Sequence, residues 1–154
     1  MTRDQGPVKS GTGYQESSAG RGGDQKQKIG VRRGEMRDHK DLDVWKDSIG
    51  LVTDIYRATA SFPKEEVYGL INQMRRAAVS VPSNIAEGAG RQTNKEFIHF
   101  LYVAAGSLSE LETQLFIAQN LGYLADDRLA VTRLVGVRKM LHGLIRHYRD
   151  KHDA

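Results

Sequence analysis

Three groupings of side chains in this 154-residue chain have types and spacings that chemistry could use. The first is Glu96-Phe97-Ile98-His99, the Glu-x-x-His spacing with which helical bundles hold paired iron ions. A di-iron site needs two such motifs and two further glutamates, and here the motif occurs once. Glu96 also closes Thr93-Asn94-Lys95-Glu96, which has the form of a helix capping box, so its carboxylate already has a structural use. His142 and His147 are five positions apart and diverge on a helix. The second grouping is serines 80, 83, 107 and 109, which have no patterned histidine or aspartate company for nucleophilic catalysis. The third is Gly88-Ala89-Gly90-Arg91, a glycine pair before a helix. No strand precedes it, so neither a P-loop nor a dinucleotide fingerprint is formed. With no cysteine in the chain, thiolate nucleophiles, zinc–thiolate sites and disulfides are excluded. The expectation is a protein without catalytic residues, cofactor or metal, and not an enzyme.

Binding surfaces remain. At 100° per residue, Gln73, Arg76, Ser80, Asn84, Glu87 and Arg91 share one stripe of a helix, well away from its apolar seam. Such a stripe is ordinarily a solvated face. The sharper reading is a polar ladder at a subunit contact or in a ligand groove, a regulatory or small-molecule site. Basic residues offer a second surface: Arg75 and Arg76, then Arg138, Lys139 and Arg146 toward the C-terminus, as candidate contacts to nucleic-acid phosphates. The net charge of +4 does not itself support that reading. Residues 1–37 hold eight Lys/Arg against four acids, which leaves 38–154 with fifteen of each. No recognised DNA- or RNA-binding motif occurs, so any contact would be salt-sensitive and would not read sequence.

The elements that must position these residues begin near residue 38. Residues 1–37 contain eight of the sixteen glycines and almost no large apolar side chains, so a disordered, basic, Gly-rich tail is expected. Gly20-Arg21-Gly22-Gly23 is one RGG-like element within it. Met36, just before the first patterned segment, is an alternative start. No apolar run suits a transmembrane helix or a secretory signal, so a cytoplasmic protein with no membrane contact is expected.

Four helical segments follow, at about 41–61, 64–88, 94–121 and 126–149. The first shows a seam of Leu42, Trp45, Ile49, Val52, Tyr56 and Thr59, with Asp41 as its expected N-cap. Ser61-Phe62-Pro63 stops it and starts the second, whose seam is Val67, Ile71, Met74, Ala78, Val81 and Ile85. Pro82 inside that segment predicts a kink near 78–82, and Gly88 and Gly90 end it. The third carries Phe97, Leu101, Ala104, Leu108, Leu111, Leu115 and Ala118, closed by Gly122. The fourth carries Leu134, Val137, Leu141, Leu144 and Tyr148 and ends in basic residues that suit the helix dipole. Short connections and the absence of strand patterning give an all-α, antiparallel up-down four-helix bundle. Leu51, Ile55 and Phe62 lie off the first seam, and Phe100, Val103, Phe116 and Ile117 off the third. That excess apolar surface predicts a homo-oligomer.

Long runs of the sequence carry a family resemblance. They are Asp41-Leu42-Asp43-Val44-Trp45-Lys46, then Phe62-Pro63, Glu66, Tyr68-Gly69-Leu70, and the whole stretch from Gln73 to Gly88. Gly90-Arg91, Phe100-Leu101, Gly106-Ser107-Leu108-Ser109-Glu110-Leu111-Glu112 and Leu121-Gly122-Tyr123-Leu124 continue it. The chain from about 40 to 125 resembles the bacterial four-helix-bundle proteins named after the open reading frame inside 23S rRNA intervening sequences. The resemblance implies an up-down bundle, a homopentamer and no enzyme activity. A more distant likeness is to the accessory protein of diversity-generating retroelements, a pentamer that partners a reverse transcriptase and binds nucleic acid. The expected function is thus a non-catalytic oligomeric assembly or adaptor protein with RNA, DNA or a nucleic-acid enzyme as partner. The alternative is a regulatory or small-molecule-binding bundle using the stripe around Asn84 and Glu87.

Overall fold

Among the described residues the helices are α1 (Asp43–Thr59), α2 (Leu70–Ala89), α3 (Asn94–Asn120) and α4 (Arg128–His152), with 3₁₀ turns at His39–Asp41 and Lys64–Glu66. The computed structural model describes residues 37–124 and 128–152, and among them there is no strand. The expected disordered tail, its RGG-like element and Met36 lie outside the described residues.

Local chemistry sets the helix ends. Asp41 does not cap α1 as expected. It sits inside the 3₁₀ turn, its N–H donating to the Asp38 carbonyl at 3.1 Å, so it cannot take the extended conformation of a cap. Leu42 takes that conformation instead and contributes no side-chain hydrogen bond. α2 begins six residues later than expected. Pro63 opens the short 3₁₀ turn, and the backbone leaves helical geometry at Gly69, which becomes the N-cap. The Glu66 carboxylate then accepts from the Leu70 N–H at 3.0 Å. Val67 is consequently outside α2, and it is exposed. Pro82 is buried within α2, which continues through it to Ala89.

α3 starts with a complete capping box: Thr93 Oγ1 accepts from the Glu96 N–H, and Glu96 Oε2 accepts from the Thr93 N–H, both at 3.2 Å. The Thr93 hydroxyl also donates to Glu96, which holds that carboxyl below its ordinary range. At the far end Gly122 adopts φ 74°, the left-handed turn that favours glycine, and the Tyr123 N–H reaches back to the Ala118 carbonyl at 2.9 Å.

Side-chain contacts fix the directions of the helices. Ser80 of α2 meets Ser107 of α3, while Gly88, further along α2, meets Phe97 and Phe100, nearer the start of α3. Glu112 pairs with Arg138, and the earlier Phe97 stacks on the later Tyr148. Both pairs of helices are therefore antiparallel, compatible with the up-down arrangement. α1 packs on α2 and α4, α3 packs on α2 and α4, and α2 and α4 are diagonal.

The core matches the expected α3 seam in full, the α2 seam except for Val67 and the α4 seam with Leu144 half-buried, and it corrects the α1 seam. The seven expected positions of α3 are all buried, as are Ile71, Met74, Ala78, Val81 and Ile85 of α2. On α1 the buried face is Val44, Ser48, Leu51, Asp54, Ile55 and Thr59. Leu51 and Ile55, expected to be left over, are wholly buried, whereas Ile49 and Tyr56 of the expected seam are exposed. Two apolar stripes compete on this helix, and the one that wins contains three polar residues, of which Thr59 donates to the Ile55 carbonyl at 2.8 Å. Ser48 is satisfied locally by the Trp45 carbonyl at 2.6 Å. Asp54 is satisfied from α4, where Arg133 Nε donates to it at 2.6 Å. Gly50 lies directly beneath that guanidinium: a Cβ there would come within 2.6 Å of Arg133 Nη1.

Gly88 is likewise a packing residue and not the helix end. A Cβ at this position would sit 2.7 Å from the Phe100 Cβ, so glycine permits the close approach of α2 and α3. Arg37, the first described residue, joins the bundle. Its guanidinium lies 4.8 and 4.9 Å from the ring centroids of Phe97 and Tyr148 and donates to Asn94 Oδ1.

Candidate functional site

The five basic residues singled out from the sequence do not converge within one copy. Arg75 and Arg76 are on α2 and Arg138, Lys139 and Arg146 on α4, the diagonal pair. Two of the five are engaged inside the chain. Arg75 Nε donates to Thr59 Oγ1 at 2.9 Å, and its guanidinium covers the Tyr56 ring at 4.4 Å. Arg138 forms two parallel bonds of 2.9 Å to the Glu112 carboxylate. That charge-assisted fork draws the Glu112 carboxyl below its ordinary range. Arg76, Lys139 and Arg146 project to solvent.

The polar stripe of α2 resolves into three parts. Gln73 and Arg76 are exposed. In the middle, Asn84 Nδ2 donates to the Ser80 carbonyl at 2.8 Å and to Ser80 Oγ at 2.9 Å, and Ser80 Oγ lies 2.9 Å from Ser107 Oγ on α3. At the end, Arg91 pairs with Glu87 one helical turn away and lies over the Phe100 ring. The middle part fastens α2 to α3, and the last part neutralises itself. Sequence spacing placed these six residues on one face; it could not show that Ser107 and Phe100 would meet them from another helix.

Two grooves are found among the described residues. One, of about 690 Å³, lies between the end of α1 and the first half of α2, with Arg75, Arg76 and Ser80 among its walls. The other, of about 270 Å³, lies between α3 and α4 beside Phe116 and Val131. Neither is lined by Asn84 or Glu87. Glu96 serves the α3 cap, and among the described residues no three potential metal ligands cluster.

The largest unpartnered feature is the outward face of α3. Phe116 is 62% exposed, and Tyr102, Val103 and Ile117 are also exposed. Gly106, Ser109 and Thr113 lie between the two ends of this row. Lys95, Glu96, Glu110 and Glu112 are the charged residues of the 27-residue helix, so 97–109 and 113–120 carry no Asp, Glu, Lys or Arg. Of the apolar residues expected to be in excess on α3, Val103, Phe116 and Ile117 are exposed, while Phe100 is half-buried under Arg91.

Fold and surface define a four-helix protein in which a few buried or half-buried polar groups join its own helices: Arg75 with Thr59, Ser80 with Ser107, Asp54 with Arg133 and Glu112 with Arg138. The chain matches the family model described as 23S rRNA-intervening sequence protein over residues 40–143. It belongs to that family. No individually curated protein matches it. Among the described residues no helix is long and apolar enough to cross a membrane.

Proposed function

We propose that this protein is a non-catalytic cytoplasmic assembly protein, and that copies of it associate through the outward face of α3. The observation that carries the reading is that α3, apolar on its inner face, also exposes Tyr102, Val103, Phe116 and Ile117 on an outer face whose one charge is Glu110. A helix that is apolar all round belongs in a protein interior, and a single four-helix layer covers only one side of it. Gly106 adds support. It lies mid-face with nothing within 4 Å of where a Cβ would be, so no contact within the chain requires a glycine there. Glycine inside a helix costs about 1 kcal/mol relative to alanine. Close approach of a neighbouring copy would account for it. The homopentamer implied by the family resemblance is the stoichiometry we favour.

Light scattering on the purified chain tests this: a particle several times the 17.2 kDa chain mass is expected. Phe116→Asp should lower it toward one chain while circular dichroism stays helical. A wild-type protein of single-chain mass at high concentration would defeat the reading.

Phosphate contact with RNA or DNA is the second reading, favoured by one observation. Lys139, His142, Arg146 and Arg149 follow one another at 3-4-3 spacing along the exposed side of α4. Repetition of that row around an assembly would build a basic surface from a bundle of no net charge. Binding that weakens steeply between 50 and 200 mM salt, with about one unit less slope per lysine or arginine removed, is the expected result. Salt-independent binding would refute it.

A further inference from the structure

The α1–α2 groove is a different surface from the α3 face, and its walls are chemically specific. Its floor is apolar, with Phe62, Ile71 and Val79 among its residues. Three cations line it, Lys64, Arg75 and Arg76, and no carboxylate does so among its described lining residues. Arg75 is held by Thr59 and Tyr56. The Lys64 and Arg76 side chains are exposed and make no ion pair or hydrogen bond within the described residues. A volume of about 690 Å³ is that of a small-molecule site, where apolar walls supply contact area and a few polar groups fix orientation.

Charge decides among the occupants. Residues 1–37 carry net +4 and the outer row of α4 is basic, so like charges oppose both. The outward face of α3 carries a single acid, Glu110, which already accepts from Gln114 Nε2 at 3.1 Å. What complements this groove is an anion attached to an apolar body. We propose that it binds an organic carboxylate with an extended hydrocarbon chain. The carboxylate pairs with Arg76 under the added positive field of Lys64, and the chain lies along Phe62, Ile71 and Val79.

Calorimetric titration of the full chain with dodecanoate below its micellar concentration tests the assignment. Dodecyltrimethylammonium serves as the same chain with the opposite head, and inorganic phosphate as an anion without a chain. Dodecanoate should bind one per protein chain, and the other two should not. Arg76→Glu should weaken it by about tenfold or more, the scale of a lost charged hydrogen bond. Val79→Asp should do likewise, and Lys139→Glu on α4 should leave it unchanged. Equal binding of the alkyl cation, or full affinity in Arg76→Glu, would overturn the proposal. The Phe116→Asp variant separates this inference from the assembly reading. Dodecanoate should bind it with wild-type affinity, whatever its oligomeric state. Binding that appears only after copies dissociate would mean that the groove belongs to the contact between copies, and would equally overturn the proposal.

Discussion

α3 and α4 are neighbours of nearly equal length, 27 and 25 residues, each with one face in the same core, yet they present opposite surfaces to the outside. α3 has four charged residues, two of them in its first turn. α4 has seven Lys/Arg and one acid, Asp150, and the last three turns of its outer side are basic. Where the two helices meet, the difference is bridged by Arg138 and Glu112, one ionic group from each. A core requires only that each helix have one apolar side. What the other side carries is free to serve contacts beyond the chain. On the proposed assembly, α3 is the helix that a neighbouring copy covers, while the basic C-terminal half of α4 stays in water.

The largest effect that could break this contrast is on assembly. Phe116→Asp should dissociate copies, whereas Lys139→Glu with Arg146→Glu on α4 should leave the particle mass unchanged by light scattering. Reversal of these outcomes would transfer the interface to α4. Next comes the core side of α3. Gly88→Ala forces a Cβ to within 2.7 Å of Phe100 and should cost about 1–3 kcal/mol in denaturant unfolding.

Gly106→Ala sharpens the comparison on the outer side. In an isolated bundle it should stabilise by about 0.5–1 kcal/mol. In the assembled protein it should weaken association, so mass and melting temperature measured together separate the two roles. Thr93→Ala removes the α3 cap and should cost about 1 kcal/mol.

The smallest effect belongs to the bridge between the two helices. Glu112 titrates below its unfolded value, so its contribution is fully present above the ordinary carboxylate range near pH 4.3 and is lost as pH falls through the folded value. Partly exposed, it should account for a minor share of acid destabilisation, and Glu112→Gln should flatten the stability curve slightly below pH 5.

How much of this could be read in the residues differs helix by helix. α3 was legible almost throughout, because its seven apolar core positions repeat regularly and its capping box is local in sequence; only the buried Gln114 went unread. α1 was not. Its true core stripe includes Ser48, which bonds to the Trp45 carbonyl, and Asp54, which counts against burial until Arg133, 79 positions further on, supplies the partner. Tyr56 looked like core because nothing local announces the Arg75 guanidinium that covers its ring. The start of α2 was misplaced since Pro63 serves a 3₁₀ turn as readily as the first turn of an α-helix, and Gly69 decides between them. Of the candidate site residues, helical spacing gave only which share a side of their own helix. Which of them pair across helices, as Ser80 does with Ser107 and Arg138 with Glu112, depends on contacts that no local pattern encodes.

The tie between Asp54 and Arg133 has a consequence for how the chain reaches its native state. It joins the first helix to the last, so it forms only after a long stretch of chain has been closed into a loop, an entropic toll that local contacts escape. The α2–α3 hairpin, with Gly88 nested against Phe97 and a turn of few residues, meets no such delay. The nucleus on the folding pathway is therefore expected in that hairpin, with α1 and α4 zipped together late. Loss of the Asp54 carboxylate would then show itself as faster unfolding with the refolding rate almost untouched.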